Sequence, residues 1–360
     1  AQRDLLVVMR GTDAAVHKHL APLAMLEEVR SITVVRPEAY AGHRLEKTVC
    51  VPVPAPAAAG NPIRRAWVAY RAAARHAAEQ KVDAVLSFNP LPYGWIAHRV
   101  AKRHGLPCHV GFVGTDWWKW ASRRPALRRW LGRIDALTCT GSTMKRDMVA
   151  HGLDPAKIRV LPHGIDVDRL DHAPKLEAAY DAVFVGRLAA VKRVDLILDA
   201  FVRVVHHRSD AKLAIVGDGP EAKPLRERVN ALGLEPHVHF AGWVEDVTPW
   251  LQASKLVLLA SLSEGMPFSL IEGMCCGCVP ITTDVGDIGD HVRHEENGLL
   301  VPADAEAMAE AILELLNQPQ RLRRMSERAM RMRESFGYDA ASNAWRELLA
   351  GPLRDATFAR

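Results

Sequence analysis

At 360 residues, the chain is longer than a single α/β core usually grows, so we expect two domains. Its composition, 49% hydrophobic and 25% charged, is that of a globular protein, and no run of 18 apolar residues exists that could span a bilayer. The net charge of +5 is unevenly divided: residues 1–165 carry 25 Lys and Arg against 12 Asp and Glu, whereas residues 166–360 carry 22 against 30. An integral membrane protein is thereby excluded, and the first half is the one expected to seek an anionic partner.

The first half alternates short apolar runs with helical stretches, which is typical of a parallel sheet covered by crossover helices. The predicted strands are residues 5–9, 32–36, 48–51, 84–88, 108–113, 136–138 and 159–161. The predicted helices are residues 14–29, 62–80, 93–104 and 142–151. The sequence therefore predicts one α/β domain over residues 1–165.

A polar break at residues 162–174 is interpreted as the linker to a second alternating series. Its predicted strands are residues 182–185, 213–216, 238–240, 256–259, 279–281 and 299–301. Two helical stretches follow, residues 305–317 and 321–349. We place the second domain at residues 175–335.

Four strands of the second series are followed by glycine-bearing turns. These are Gly186-Arg187, Gly217-Asp218-Gly219-Pro220, Gly242-Trp243 and Ser263-Glu264-Gly265. The carboxyl ends of parallel strands share one edge of the sheet, and ligands bind at that edge in open α/β folds. Any one of these turns could equally need its glycine for backbone reasons alone.

The segment from Glu264 to Glu272 is more specific. Its two carboxylates bracket a Gly-Met-Pro turn that opens a helix, and the N–H groups at such a helix start can bind a diphosphate. Arg187 and Lys192, five residues apart after a strand, would neutralise the same anion. The alternative interpretation is a pair of solvated glutamates beside a pair of solvated cations.

The order of these motifs resembles that of a known family. The segments 186–192, 216–220, 240–242, 263–274 and 297–301 strongly resemble the donor domain of glycosyltransferase family 4 across about residues 180–320. The resemblance implies the GT-B architecture, an α/β fold with two Rossmann-like domains facing across a cleft. It also implies that a C-terminal helix within residues 338–360 packs back on the first domain.

The resemblance further implies roles for individual residues. Arg187 and Lys192 would contact the donor diphosphate, Glu264 would face the donor sugar, and Glu272 would hold the ribose hydroxyls. The other implied donor contacts are Gly11, Gly186, Gly217, Trp243, Val244, Gly265, Met266, Phe268, Ser269 and Leu270. No metal and no separate cofactor is implied, and the donor is a UDP-, GDP- or ADP-sugar.

The first domain matches the family only in outline. The usual glycine pair is reduced to Gly11-Thr12, and the family's mid-domain His-Gly-x-Asp turn is Val113-Gly114-Thr115-Asp116 here. Because the histidine is missing, Asp116 is our candidate polar group on the acceptor side, with a helix N-cap as its alternative role. Asp13 and His109 are weaker alternatives. Retention in this family is thought to need no enzymic general base.

The cysteines and the tryptophans stand apart from these motifs. Cys275, Cys276 and Cys278 are interpreted as small packing residues rather than metal ligands. Residues 117–133 contain six basic residues, four tryptophans and no acid, which favours contact with an anionic membrane surface. The alternative is a helix that packs its tryptophans into the core.

Taken together, the sequence predicts a cytoplasmic retaining glycosyltransferase. Its acceptor is expected to be a glycan or a lipid-linked, anionic molecule, with possible contact to the inner face of the membrane through residues 117–133. The alternative function is a nucleotide-sugar epimerase or hydrolase on the same fold. The chain lacks the Gly-x-Gly-x-x-Gly turn that a dinucleotide-dependent oxidoreductase would need, and it lacks the motifs of nucleic-acid-binding proteins.

Overall fold

The computed structural model describes residues 2–11, 13–37, 45–52, 61–162, 164–172 and 179–354. The chain divides into two compact units, the first formed by Ala1–Ile165 and Phe336–Arg360 and the second by Asp166–Ser335. Thr12, residues 163 and 173–174 of the predicted linker, residues 175–178 of the predicted second domain and the tail 355–360 of the predicted C-terminal helix lie outside the described residues.

The first unit is built around a seven-stranded parallel sheet. Its strands are β1 (Arg3–Val8), β2 (Val29–Arg36), β3 (Thr48–Pro52), β4 (Ala84–Ser87), β5 (Cys108–Gly111), β6 (Ala136–Cys139) and β7 (Ile158–Val160). They follow the order β3-β2-β1-β4-β5-β6-β7, which reverses between β1 and β4. This is the Rossmann arrangement, and the reversal is the point where such sheets bind ligands.

Among the described residues before Ile165, five α-helices alternate with these strands. They are α1 (Asp13–Ala24), α2 (Pro62–Glu79), α3 (Trp95–His104), α4 (Pro125–Leu131) and α5 (Ser142–Ala150). The prediction of a helix to residue 29 is wrong. The helix ends at Ala24 because Val29 already pairs with Arg3 in the sheet, where the Arg3 N–H donates to the Glu28 carbonyl at 2.8 Å.

The second unit contains a six-stranded parallel sheet of the same topology. Its strands are β8 (Tyr180–Val185), β9 (Leu213–Val216), β10 (Val238–Gly242), β11 (Ser254–Leu259), β12 (Val279–Thr282) and β13 (Leu299–Leu300). Their order is β10-β9-β8-β11-β12-β13, with the reversal between β8 and β11. The strands of both sheets are largely buried, as expected when helices cover both faces.

The helices of the second unit complete the fold. They are α6 (Val167–His172), α7 (Val194–His207), α8 (Ala222–Ala231), α9 (Thr248–Gln252), α10 (Phe268–Cys275), α11 (Ala305–Asn317), α12 (Pro319–Met330) and α13 (Met332–Phe336). None of the helices within the described ranges combines the length and hydropathy that crossing a membrane requires.

The continuous helix predicted for residues 321–349 is wrong. Three helices occupy this stretch, and the last is α14 (Tyr338–Ala350). A residue remote in sequence fixes the break before α14. The Ile165 N–H donates to the Phe336 carbonyl at 2.7 Å, and Ile165 forms a β-bridge with Gly337.

Helix α14 belongs to the first unit. Trp345 is fully buried, with its ring 5.7 Å from Phe88 and 5.1 Å from His109, and the Ser342 hydroxyl donates to the Pro22 carbonyl at 2.8 Å. Burying one such large side chain stabilises a fold by roughly 1.5–3 kcal/mol. Helix α14 is thus part of the same core as β1.

Candidate active site

Three loops at the reversal point of the second sheet are hydrogen-bonded to one another. The Leu188 N–H after β8 donates to the Asp218 carbonyl after β9 at 3.0 Å, and the Glu221 N–H donates back to the Leu188 carbonyl at 3.0 Å. On the other side, the Leu262 N–H after β11 donates to the Val191 carbonyl at 2.9 Å. The loops predicted to share one sheet edge therefore form one connected rim.

The glycines of this rim are required by the approach of one loop to another. A Cβ at Gly217 would lie 1.9 Å from the Gly186 carbonyl oxygen, and one at Gly219 would lie 2.2 Å from the Leu188 carbonyl oxygen. Both glycines also have positive φ, +137° and +159°. These contacts account for the glycines whatever binds there, so the backbone explanation given above holds for them.

Lys192 and Glu264, 72 residues apart, form an ion pair. The Lys192 Nζ lies 2.5 Å from the Glu264 Oε1, and the two side chains are 20% and 10% exposed. Arg187 lies on the same loop as Lys192 but is exposed, and it makes no ion pair with any residue that the structure describes. Lys192 is thus paired with a carboxylate and Arg187 faces solvent. An incoming anion could contact both positive groups.

Helix α10 begins at the segment that the sequence singled out. Pro267 is extended and precedes the first helical residue, Phe268, so the positive end of the helix dipole lies at this turn. Of the predicted backbone contacts Phe268, Ser269 and Leu270, the Leu270 N–H already donates to the Pro267 carbonyl at 3.1 Å. Met266, within this turn, is buried.

A second close approach fixes Glu264 and Gly265. The Asp287 N–H donates to the Gly265 carbonyl at 3.0 Å, and a Cβ at Gly286 would lie 2.1 Å from the Glu264 carbonyl oxygen. Gly286 has φ +64°. The loop after β12 therefore holds the Glu264 backbone in place from behind.

Glu272 is buried on α10, with an arginine that the sequence analysis missed. The Arg169 Nη2 lies 3.8 Å from the Glu272 Oε1 and 3.9 Å from the Asp246 Oδ1. Arg169 falls in the stretch interpreted as a linker, where nothing in the local pattern distinguishes it from a solvated residue. The arrangement places a further cation, Arg169, beside the carboxylate predicted to bind ribose.

The turn after β10 carries an exposed aromatic side chain. Trp243 is 75% exposed, directly after Gly242, which has φ +72° and accepts a hydrogen bond from the Gly217 N–H at 2.8 Å. Val244 is half-buried. Trp243 is thus joined to the Gly217 loop through one backbone hydrogen bond, with its ring available for stacking.

In the first unit, a buried arginine holds the loop that contains Gly11. Arg36, only 1% exposed at the end of β2, donates to the Gly11 carbonyl at 3.2 Å and pairs with Asp13. The weaker acceptor-side candidate Asp13 is therefore engaged with Arg36. Arg36 could not be singled out from the sequence, because it closes an apolar strand, where a basic residue usually marks the start of a loop.

Asp116 lies at the carboxyl side of β5 and does not cap a helix. The turn that follows it, Trp117–Ala121, receives no side-chain hydrogen bond from it, so the N-cap alternative is wrong. Burial raises the pKa of the Asp116 carboxyl, and Lys119 partly opposes that shift. The carboxylate instead lines an apolar groove on the surface of the first unit.

His109 is a core residue. It is fully buried on β5, its Nε2 lies 2.9 Å from the Thr138 Oγ1, and burial lowers its pKa to about 3. As an acceptor-side candidate it is wrong, because its ring is enclosed by Trp345 and Phe88.

The tryptophans of residues 117–133 differ in their surroundings. Trp117 is buried and donates to the Asp147 carboxylate at 2.5 Å, whereas Trp120 is exposed. Trp118 and Trp130 are half-buried. The core-packing alternative therefore holds for Trp117, and Trp120 is the tryptophan of this segment that faces solvent.

The cysteine cluster is packed within the second unit. Cys275 and Cys278 are buried, and burial raises the pKa of the Cys275 and Cys276 thiols to about 12. No group of three or more His, Cys, Asp or Glu side chains able to hold a metal ion occurs among the described residues.

Comparison with known proteins agrees with this geometry. Two family models match the chain, one described as Glycosyltransferase Family 4 over residues 28–169 and one as Glycosyl transferases group 1 over residues 179–318. Together they cover most of both units.

Individual relatives match in part. The N-acetyl-alpha-D-glucosaminyl L-malate synthase of Bacillus anthracis is 33% identical over 175 residues, 48% of this chain and 46% of that protein. The D-inositol 3-phosphate glycosyltransferase of Rhodococcus jostii is 30% identical over 241 residues, 61% of this chain and 53% of that protein. The chain spans about half the length of these relatives.

Similarity of fold extends further than similarity of sequence. The crystal structure of Anabaena HepE in complex with UDP and glucose aligns with a TM-score of 0.77 at 14% identity, covering 97% of this chain and 100% of that one. At this identity the match concerns the fold alone.

Proposed function

The chain belongs to glycosyltransferase family 4 and has the two Rossmann-like domains of the GT-B fold, and we propose that it is an enzyme that transfers a sugar from a nucleotide-sugar donor to an acceptor. The acceptor would be a growing glycan, polysaccharide or glycolipid. The anomeric configuration of the sugar would be retained, and no divalent metal would take part.

The observation that carries this proposal is the rim of the second sheet. Lys192, Arg187 and the start of α10 follow the two strands that flank the reversal point, so positive groups converge where a Rossmann sheet binds its ligand. A donor diphosphate placed there would meet positive charge fixed in advance. Such charge is most effective when negative charge grows on a leaving group, as it does on the departing nucleoside diphosphate.

The Lys192–Glu264 ion pair suggests how donor binding begins. A diphosphate would compete with Glu264 for Lys192, and the released carboxylate could then accept hydrogen bonds from the donor sugar. The proposal thus gives Lys192 and Glu264 linked roles, one toward phosphate and one toward sugar. No described residue provides an observation that favours the epimerase or hydrolase alternative.

The experiment compares turnover of Arg187→Ala and Lys192→Ala with that of the wild type. Each should lose roughly 10²-fold or more, the scale of removing one charge-stabilising donor. Lys223→Ala is the matched control, because Lys223 is 88% exposed on α8 of the same unit and should leave turnover unchanged. Melting curves check that the variants are folded. Undiminished turnover in both variants, or loss of activity in EDTA, would contradict the proposal.

The acceptor side is proposed to face an anionic surface. The first unit carries 28 Lys and Arg against 15 Asp and Glu, whereas the second carries 19 against 27, and Trp120 and the arginines of residues 117–133 lie on the first unit. Each basic residue near an anionic leaflet adds about 1 kcal/mol of attraction, which salt weakens. Flotation with anionic and neutral liposomes at low and high salt tests this contact. Failure to bind either liposome at low salt would leave a water-soluble acceptor.

A further inference from the structure

An apolar groove of about 690 Å³ lies on the surface of the first unit. It is bounded by the first turns of α2, by the turn Pro90–Gly94 with the start of α3, and by the segment from Asp116 to α4. Its volume falls in the range of roughly 300–1,000 Å³ that small-molecule sites occupy. Six apolar side chains that line it are Ile63, Ala66, Leu91, Trp95, Trp120 and Leu127.

The groove gathers side chains that a protein surface normally hides. Ile63, Leu91, Trp95 and Trp120 are 78%, 45%, 43% and 47% exposed. They come from three separate segments of the chain, so their meeting is a product of the fold and not of one apolar run. Contiguous exposed apolar surface of this kind marks an interaction site.

Positive charge surrounds the groove. The Arg99 and Arg124 guanidinium carbons lie 5.0 and 4.9 Å from the ring centroids of Trp95 and Trp120, and on the neighbouring turn of α2 Arg71 lies 4.7 Å from Trp67. Residues 61–133 as a whole carry 14 Lys and Arg against three Asp and Glu. Stacking on these tryptophan rings holds the guanidinium groups at the edge of the apolar groove.

Two charged groups belong to the wall of the groove itself. They are Asp116 and Arg124. A guanidinium favours a phosphate group, whereas a half-buried carboxylate can accept a hydrogen bond from a hydroxyl group. The groove therefore offers apolar surface for a chain, a cation for an anionic headgroup and an acceptor for a hydroxyl.

We infer that this groove binds the hydrocarbon chain of a phosphate-bearing lipid acceptor, with Arg124 contacting the phosphate. The inference rests on the proposed function, since it names the acceptor class of the same enzyme. It differs from membrane contact in general, because a chain would leave the bilayer and lie in a concave site between α2 and α4. The complementarity of the basic surroundings to phosphate selects an anionic lipid over a neutral one.

A large side chain introduced into the groove distinguishes binding of a lipid chain in the groove from general contact with the membrane surface. Ala66 lines the groove on α2, so Ala66→Phe should occupy the space that a chain needs and leave the protruding tryptophans and arginines unchanged. Ala78→Phe is the matched control, because Ala78 is exposed on the same helix and does not line the groove. A second pair, Leu91→Gln with Met25→Gln as control, covers the case in which Ala66→Phe does not fold.

The assay is calorimetric titration with decyl phosphate below its critical micelle concentration, beside 1-decanol and inorganic phosphate. Ala66→Phe and Leu91→Gln should weaken decyl phosphate binding at least 10-fold, and their controls less than 2-fold. Arg124→Gln should weaken decyl phosphate and leave 1-decanol unchanged, with Arg75→Gln as its control. Liposome flotation of Ala66→Phe should equal that of the wild type.

Several results would overturn the inference. Equal decyl phosphate affinity in the wild type, Ala66→Phe and Leu91→Gln would place the chain elsewhere, and inorganic phosphate binding as tightly as decyl phosphate would leave a phosphate site only. A wild-type dimer in sedimentation that Leu91→Gln dissociates would assign the groove to a second copy of the chain. Sugar transfer to a water-soluble acceptor without decyl phosphate binding would reject the groove and keep the proposed function. Decyl phosphate binding without any turnover of nucleotide sugar would reject the proposed function and leave the groove as a lipid site.

Discussion

Replacing Gly217 with alanine should destabilise the second unit strongly, because the loop after β9 touches the loop after β8. The new Cβ would lie 1.9 Å from the Gly186 carbonyl oxygen, and φ at this position is +137°. Positive φ costs a residue with a Cβ roughly 1–2 kcal/mol. Forcing extra volume against backbone adds about 1–3 kcal/mol more. We expect Gly217→Ala to lower the free energy of unfolding by about 2–5 kcal/mol.

Gly233→Ala is the control for this change. Gly233 lies in the same unit with φ +67°, and, its chain neighbours aside, no described atom lies within 4 Å of the position its Cβ would take. It should therefore lose only the conformational term, roughly 1–2 kcal/mol. Urea unfolding of the three proteins measures the difference. If Gly217→Ala is no less stable than Gly233→Ala, the contact between the two loops is not as close as the structure indicates.

Two further predictions concern titratable groups of the first unit. Burial lowers the pKa of His109 from 6.5 to about 3, so between these pH values the imidazole takes up a proton only in the unfolded chain. The free energy of unfolding should therefore fall by up to about 1.4 kcal/mol per pH unit as the pH drops from 6.5 to about 3. In His109→Gln the free energy of unfolding should fall less steeply with acid, and an unchanged slope would contradict the burial of this ring. Burial raises the pKa of Asp116, so its ionised form disfavours the fold, and stability is lost as the pH rises from 3.8 through that raised value. Asp116→Asn should therefore have a higher melting temperature than the wild type at pH 7 and no such gain at pH 3. Equal melting temperatures of the two proteins at both pH values would argue that the carboxyl is solvated.

The sequence predicted the strands better than the ends of the helices. Each strand is a short apolar run that needs both faces covered, and such runs are visible without knowledge of their partners. The end of α1 and the break before α14 depend on Arg3 and Ile165, residues far away in sequence. A local pattern cannot contain that information.

The candidate site shows the same division. The parallel arrangement predicted that the loops after the strands share one edge of the sheet, and Lys192 and Glu264 lie against each other at that edge. Arg169 and Arg36 were missed, since each is placed by a tertiary contact with an acid or a carbonyl that the local sequence does not announce. The apolar groove was missed for the same reason: it is assembled from three segments of which only one, residues 117–133, has an unusual composition.

The central claim is that the rim of the second sheet binds a nucleoside diphosphate sugar. The most direct test is thermal stabilisation of the wild type, Lys192→Ala and Lys223→Ala by UDP-, GDP- and ADP-sugars, because a ligand at 100 times its Kd stabilises the fold by about 2.7 kcal/mol. We predict that sugars of one of these three bases raise the melting temperature of the wild type and of Lys223→Ala, and raise that of Lys192→Ala much less. Equal stabilisation of all three proteins, or no stabilisation of the wild type by any donor at millimolar concentration, would contradict this account.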